Sequence, residues 1–394
     1  MPASPARRAA LNVLRRVAEQ GAYADRALHG ESKGLDSRDR ALAKRLAFGT
    51  VQRRGTLDWI VARHVDRKLE PQVRAALQLG LYQLLYTDVP QHAAVAESVE
   101  LAKPSPGSKL VNAVLRKVLR EGVELPADDN PKGAAIHHSH PEWLTLLWWD
   151  WLGADEARAL LAANNEPTEL ALRINPLAGV HVDLDGRRED DALVIDGPFD
   201  ALGHPLYAAG AITPQSRASQ RVARAVDPQP GERILDLCAA PGGKTTHLAA
   251  LMGDRGEIVA VERSPQRAQA LTVQAERMHA TSVRVHVGDA REISAAALGG
   301  TFDRVLVDPP CSGLGTLSSH PDLRWRATPE SIEELRTEQE AIVAAARSAL
   351  KPGGRLVYST CTLSPREEIV NGTVVRTLPH RDHTDGFYIA VDDG

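Results

Sequence analysis

The sequence has little cysteine and no long apolar segment. Three cysteines in 394 residues do not suit a disulfide framework and fit a reducing cytoplasm. A membrane-spanning helix needs about 20 apolar residues, and no apolar run in the sequence approaches that length. The charged stretch Met1–Arg8 leads into no apolar core of a signal peptide. We therefore predict a cytoplasmic protein without membrane contact.

Charge is unevenly distributed along the chain. The net charge is only −4, and a content of 43% hydrophobic and 25% charged residues is typical of a globular protein. Residues 1–126 contain 21 Lys and Arg against 13 Asp and Glu, whereas the remainder contains 26 against 38. A basic first part favours binding of a polyanion, but a solvated basic helix surface explains the charge equally well.

Apolar residues recur at helical spacing throughout residues 6–125. The stretch Val73–Tyr86 is apolar on most sides and is predicted to be a central buried helix. The segment Lys109–Arg120 is predicted to be an amphipathic helix with a basic face. The pattern predicts an all-helical domain over residues 1–126.

A smaller α+β domain is predicted over residues 135–210. Three histidines lie close together near its start, at His137, His138 and His140. A tetrahedral metal site needs a fuller set of ligands, and no cysteine or second histidine group lies nearby in the sequence. We therefore predict no metal site.

Predicted strands and helices alternate in residues 211–394. The apparent strands are at 233–238, 257–262, 283–287, 304–307 and 354–361. Helices are predicted between them, including a short one after the third strand and a long one at 332–350. This alternation predicts an α/β fold class, with a Rossmann-like, doubly wound and mostly parallel sheet.

The turn after the first of these strands, Cys238–Thr245, suggests a ligand. Its Gly-Lys-Thr resembles part of a phosphate-binding loop, but that motif needs a glycine where this chain has Cys238. The dinucleotide pattern Gly-x-Gly-x-x-Gly is also absent. Three successive strands carry an acid within them or at their ends, namely Asp236, Glu262 and Asp289. Acids at these positions suit a nucleoside with a positive charge, such as S-adenosyl-L-methionine.

Three motifs resemble those of RNA cytosine-5 methyltransferases. They are Cys238-Ala-Ala-Pro-Gly-Gly-Lys-Thr245, Asp308-Pro-Pro-Cys-Ser-Gly-Leu-Gly315 and Ser359-Thr-Cys-Thr362. The helical first domain resembles the NusB-type RNA-binding fold, and the segment His320–Arg326 fits the same family. With these features the whole chain resembles the bacterial Sun/Fmu (RsmB) family, which methylates a loop cytosine of 16S rRNA.

The resemblance implies binding residues and partners. It implies S-adenosyl-L-methionine as cofactor, held by Cys238, Ala239, Ala240, Pro241, Gly242, Gly243, Lys244, Glu262, Arg267, Asp289 and Asp308. It implies 16S rRNA as partner, either free or in a subunit assembly intermediate. RNA contact is predicted for Arg173 and Asn175, although Arg173 alternatively lines the surface. We expect a monomer.

The resemblance also gives the cysteines their roles. Cytosine C5 is a poor nucleophile, and addition of a thiolate to C6 enables C5 to attack a methyl group on a sulfonium. Cys361 is implied to be the nucleophile and Cys311 to aid release of the product. Asp308 is implied to contact the nucleobase and the cofactor.

Two alternative functions differ in class or substrate. A tRNA cytosine-5 methyltransferase is disfavoured by the basic helical domain, and a non-catalytic RNA-binding or assembly factor is disfavoured by the intact cysteines and acids. Asp308-Pro-Pro310 also occurs in amine methyltransferases, which do not need the two cysteines. Pro309 stands where the family has alanine, and the segment after Glu368 is short. We expect the sheet to support activity and a surface loop to be shorter than in the family.

Overall fold

The computed structural model describes residues 3–189 and 192–394. Residues 1–2 and 190–191, which fall within the predicted first and middle domains, lie outside this description. The chain forms two compact units. Unit 1 contains the chain up to Glu166 and the segment Leu317–Arg326, and unit 2 contains Pro167–Thr316 and Ala327–Gly394. In the part described, no helix is long and apolar enough to cross a membrane.

Unit 1 is built from helices. They are α1 (Pro5–Gln20), α2 (Ala24–Glu31), α3 (Ser37–Gln52), α4 (Arg54–Ala62), α5 (Pro71–Tyr86), α6 (Gln91–Leu101), α7 (Ser108–Glu121), α8 (Pro131–His137), α9 (Glu142–Leu152) and α10 (Ala154–Ala163). A helical turn at Leu323–Arg326 also belongs to this unit. Nine consecutive residues of α5, from Ala75 to Gln83, are buried, and so is Val73. The prediction of a central buried helix is therefore confirmed.

Unit 2 contains two sheets and the helices around them. The strands are β1 (Leu170–Ile174), β2 (Arg187–Glu189), β3 (Ala192–Ile195), β4 (Ile212–Pro214), β5 (Arg233–Leu237), β6 (Glu257–Glu262), β7 (Val283–Val287), β8 (Phe302–Val307), β9 (Leu350–Thr360), β10 (Thr373–Thr377) and β11 (Phe387–Asp392). The helices are α11 (Pro205–Ala208), α12 (Arg217–Val226), α13 (Gly243–Leu251), α14 (Pro265–Arg277), α15 (Pro329–Ala349) and α16 (Pro379–Asp382).

The larger sheet has the strand order β10-β11-β9-β8-β5-β6-β7. Strands β9, β8, β5, β6 and β7 run parallel to one another, β11 is antiparallel to β9, and β10 is antiparallel to β11. The predicted mostly parallel α/β sheet is confirmed. Its strand order reverses direction between β5 and β8, and ligands bind beyond the carboxyl ends of strands at such a point.

The compact units divide the chain differently from the predicted domains 1–126, 135–210 and 211–394. Helices α8–α10 pack within unit 1, through contacts that include α4 and α8, whereas the antiparallel sheet β2-β3-β1-β4 belongs to unit 2. The prediction of a short helix after β7 is wrong. Residues 288–301 form turns there, with hydrogen bonds such as that from the Glu292 N–H to the Asp289 carbonyl.

Candidate active site

The turn between β5 and α13 has a backbone that other residues would not easily adopt. Gly242 has φ 100°, and a Cβ at this position would lie 2.5 Å from Cδ1 of Leu271. Cys238 also has a positive φ, of 64°. The turn therefore needs glycine at Gly242 for both conformation and space. Residues Ala239–Lys244 lead from Cys238 into the first turn of α13.

A cavity lies beyond the ends of β5, β6 and β7. Four of the residues predicted to bind the cofactor line it, namely Cys238, Glu262, Arg267 and Asp289. Seven further residues complete the lining: Val261, Arg263, Gly288, Ala290, Pro310, Glu338 and Ile342. Acids beside apolar side chains suit a ligand that has both hydroxyl groups and a flat base.

Glu262 is held in place at the end of β6. It is buried, and its Oε1 accepts a hydrogen bond from the backbone N–H of Ser264 at 2.9 Å. Arg267 lies 3.4 Å from its other oxygen and donates to the carbonyl of Ala240 at 2.7 Å. Arg267 therefore connects the acid to the turn after β5. A fixed carboxylate with remaining lone pairs fits the hydroxyls of a ribose.

Asp289 and Asp236 have different environments. Hydrogen bonds from Arg291 lower the pKa of Asp289 to about 2, so it is ionised at neutral pH. Asp236 lies inside the protein, where burial raises its pKa to about 7, and it accepts a hydrogen bond from Thr245 at 2.6 Å. Asp236 supports the start of α13 and is not among the residues that line the cavity.

Asp308 follows β8 and pairs with Lys244. Its Oδ2 accepts from the Lys244 ammonium at 2.7 Å, and its Oδ1 accepts from the Ser359 hydroxyl at 2.9 Å. Burial by itself lowers the pKa of Lys244, but the charge of Asp308 and the hydrogen bond to it outweigh burial and raise that pKa. Lys244 is therefore a permanent cation that is directed to Asp308. Neither residue is among those that line the cavity.

Cys311 and Cys361, from the two C-terminal motifs, lie close together. The Sγ atoms of Cys311 and Cys361 are 3.4 Å apart. The hydrogen bond with Cys361 and burial raise the pKa of Cys311 well above its usual value, so Cys311 is a neutral thiol. Burial also raises the pKa of Cys238 to about 12. Pro310, which directly precedes Cys311, lines the cavity, whereas Cys311 and Cys361 are not among the lining residues.

Comparison with known proteins identifies the family. The model of the RsmB/F 16S rRNA methyltransferases matches residues 223–371, and that of the NusB family matches residues 4–120. The probable ribosomal RNA small subunit methyltransferase B of Synechocystis sp. is 37% identical over 98% of both chains. The ribosomal RNA small subunit methyltransferase B of Yersinia enterocolitica is 34% identical over 97% of this chain and 96% of that protein. The chain belongs to the RsmB family.

Solved structures with a similar fold are also found. The crystal structure of PH0851 matches with a TM-score of 0.80 and 26% identity, over 98% of both chains. A methyltransferase homolog protein from Pyrococcus horikoshii matches with a TM-score of 0.57 and 25% identity, over 66% of this chain and 96% of that one. As a member of the RsmB family, the chain is an S-adenosylmethionine-dependent rRNA methyltransferase.

Two residues predicted to contact RNA lie in the interior of this RsmB protein. Arg173 and Asn175 are fully buried. Arg173 donates to Oε1 of Gln215 and to the hydroxyl of Thr246, both at 2.8 Å. Asn175 donates to two backbone carbonyls at 2.9 Å. Their burial disagrees with the predicted RNA contact, and their hydrogen bonds connect the end of β1 to α13 and to the end of α14.

The histidine group has a partner that sequence spacing did not reveal. Ligand atoms of Asp128, His137 and His138 lie within 4.8 Å of one another, and His138 already contacts Asp128 at 2.9 Å. These three side chains offer three ligand atoms, whereas a tetrahedral structural site takes four, and the absence of a metal site stays a prediction. The group can be explained by the histidine–carboxylate pair alone.

Some cavity residues were missed in the sequence. Arg263 and Glu338 both line the cavity, and Arg263 pairs with Glu338 at 2.9 Å. Arg263 directly follows Glu262 at the end of β6, and this position could have predicted that it lines the cavity. Glu338 and Ile342 lie on α15 in no recognised motif, and no sequence signal predicted that this helix would reach the cavity.

Proposed function

We propose that the enzyme transfers a methyl group to C5 of a cytosine in 16S rRNA through a covalent adduct between Cys361 and cytosine C6. The observation that carries this proposal is the 3.4 Å separation of the Cys311 and Cys361 sulfurs. Two thiols this close provide one group to attack the base and another to assist its departure. Amine methylation needs neither thiol, and it gives no reason for the pair.

The steps follow from the chemistry of cytosine. The Cys361 thiolate attacks C6, a C–S bond forms, and electron density moves to C5. C5 would then attack the methyl carbon of S-adenosylmethionine; the bond between that carbon and the sulfonium breaks, and its electron pair stays on sulfur in the leaving S-adenosylhomocysteine. Loss of the C5 proton to a base lets the C6–S bond break, and its electron pair returns to Cys361. The resemblance to RNA cytosine-5 methyltransferases implies that Cys311 acts in this last stage and that Cys361 is the attacking thiolate.

Asp308 would contact the nucleobase. Its carboxylate can accept a hydrogen bond from the exocyclic amine of cytosine, and the ammonium of Lys244 at 2.7 Å balances its charge. The cytosine must leave its stack to reach two half-buried thiols, which favours a target in an RNA loop.

The cavity supports the assignment of the cofactor site. Glu262 and Asp289 offer carboxylate oxygens for hydroxyl or amino groups, and Val261, Ala290 and Ile342 offer apolar contacts for an adenine. The predicted turn Cys238–Lys244 begins at this cavity. These residues fit S-adenosylmethionine and would hold its nucleoside, and the cofactor would supply the methyl group.

Bisulfite sequencing of rRNA tests the proposed substrate. One cytosine of 16S rRNA should lose its resistance to conversion in cells that lack this protein and regain it when the protein is restored. Loss of a mark from tRNA alone would favour a tRNA enzyme, and an unchanged set of marks would contradict the rRNA assignment. Adding the purified protein to free rRNA or to small-subunit particles would distinguish the two predicted substrates.

A further inference from the structure

The side chain of Glu367 is fully buried and contacts both cysteine motifs. Its Oε1 accepts hydrogen bonds from the backbone N–H of Ser312 at 2.9 Å and from Nε2 of Gln339 at 3.0 Å. Its Oε2 accepts from the hydroxyls of Ser312 and Thr362. Ser312 and Thr362 are the residues that directly follow the two cysteines. One carboxylate therefore binds both motifs.

Glu367 has donors around it but no cation. The arginines nearest to it in sequence pair elsewhere, Arg366 with Glu333 and Arg376 with Glu368. No cationic side chain within residues 3–189 and 192–394 forms an ion pair with Glu367. Burial of a carboxylate is unfavourable unless donors occupy its lone pairs, and here four hydrogen bonds do so.

The hydrogen-bond pattern requires a carboxylate. Two of the donors are N–H groups, from the Ser312 backbone and Gln339, and cannot accept in return. Glutamine at position 367 would offer only one acceptor oxygen and would direct its own N–H groups towards donors. A role in filling space alone would not demand this pattern.

The same network reaches the residue before Cys311. Nε2 of Gln339 also donates to the carbonyl of Pro310 at 2.9 Å. The hydroxyl of Tyr358 lies 3.1 Å from Oε1 of Gln339 and 2.9 Å from the carbonyl of Glu367. Cys311 is thus held on both sides, at Pro310 and at Ser312.

We propose that Glu367 is a positioning residue that sets the separation and orientation of the Cys311 and Cys361 thiols, acting through Ser312 and Thr362. The inference rests on the proposed covalent mechanism, which needs the first thiol to act while the second is bonded to C6. Displacement of reacting groups by about 1 Å can lower a rate by roughly 100-fold. A carboxylate bonded to both motifs prevents such a displacement.

Glu367→Gln tests the inference in the full-length protein, with a 16S rRNA transcript and S-adenosylmethionine as substrates. We expect kcat to fall by about 10- to 100-fold, with KM for both substrates changed by less than about two-fold. The covalent RNA adduct should persist, because a displaced Cys311 no longer supports release. Ser312→Ala should reproduce part of the effect and should not be additive with Glu367→Gln.

Glu368→Gln is the matched control, because this adjacent carboxylate pairs with Arg376 instead. It should leave kcat and the adduct unchanged. The inference is overturned if Glu367→Gln behaves like the control, or if it lowers only the folded fraction and not kcat per folded molecule. If Glu367→Gln does not fold, Ser312→Ala and Thr362→Val decide by the same measurements. A wild-type protein without any adduct would contradict the proposed function instead, and kcat alone would then decide on Glu367.

Discussion

The ammonium of Lys244 lies 2.7 Å from the carboxylate of Asp308, and the two residues come from motifs 64 positions apart in the sequence. Lys244 belongs to a glycine-containing turn that resembles a phosphate-binding loop, and its charge is used instead by an acid beside the cysteines. The pair connects the cofactor turn to the strand end that would receive the cytosine. Through this contact, a substitution in one motif should alter the position or charge of the residue in the other.

Lys244→Met should lower kcat strongly. Removal of a charged donor aimed at a reacting site typically lowers kcat by about 100- to 1,000-fold, and Asp308 would also lose the cation that balances its charge. The initial rate of methyl transfer measures this. Lys351→Met is the control, because Lys351 pairs with Asp303 near the other end of β8. Equal rates for the two variants would show that Lys244 has no special role.

The two cysteines should give opposite results when each is replaced. Cys361→Ala should abolish turnover and yield no covalent RNA adduct, because the attacking thiol is lost. Cys311→Ala should accumulate the adduct, because release is slowed. Denaturing gels of protein mixed with RNA and S-adenosylmethionine measure the adduct. An adduct that forms in Cys361→Ala but not in Cys311→Ala would exchange the two roles.

Glu262→Gln should weaken cofactor binding. The loss of a charged acceptor for ribose hydroxyls costs about 1.5–3 kcal/mol, which raises Kd by about 10- to 150-fold. Titration calorimetry with S-adenosylmethionine measures the change. Glu257→Gln is the control, because Glu257 starts the same strand and pairs with Arg233 and Arg284. Similar Kd values for both variants would remove Glu262 from the cofactor site.

The sequence allowed the sheet and the cysteine motifs to be predicted because these depend on local patterns. The alternation of apolar strands and helices predicted the parallel sheet, and the motifs predicted Asp308, Cys311 and Cys361 as site residues. Contacts between distant segments were not predictable in this way. Glu367 and Glu338 become informative only when folding brings them to residues 55 and 75 positions away. Arg173 was predicted either to contact RNA or to line the surface, with contact favoured by the domain that follows, but its partners Gln215 and Thr246 stabilise it in the interior.

Asp236 should make stability depend on pH. Burial, partly offset by the hydrogen bond from Thr245, raises its pKa from 3.8 to about 7. The folded state therefore binds this proton more tightly than the unfolded state. Stability from protonated Asp236 is present below about pH 4 and is lost as the pH rises through about 7.

Asp236→Asn removes this titration and keeps a group that can accept from Thr245. The variant should gain stability relative to the wild type as the pH rises from about 4 to about 7, with no further gain above that pH. Differential scanning calorimetry at several pH values, without cofactor, measures the difference. A difference in Tm that does not change with pH would contradict the raised pKa.

Arg324 should stabilise unit 1. Its guanidinium is fully buried, and burial lowers its pKa to about 9. It donates to the carbonyls of Ser139 at 3.1 Å and Asn164 at 3.0 Å, and to Oδ1 of Asn165 at 2.9 Å. These acceptors follow α8 and α10, so a single side chain of the segment Leu317–Arg326 connects the ends of two helices.

Arg324→Met should leave these buried acceptors without donors. Each unpaired acceptor costs about 1–3 kcal/mol, so the free energy of unfolding of unit 1 should fall by more than about 2 kcal/mol. Tryptophan fluorescence during urea unfolding reports this unit, because all six tryptophans of the chain lie within it. Arg326→Met is the control, since Arg326 donates at the surface to the carbonyl of Gly21. An equal urea midpoint for both variants would mean that the carbonyls find other donors, and that Arg324 does not hold the segment in place.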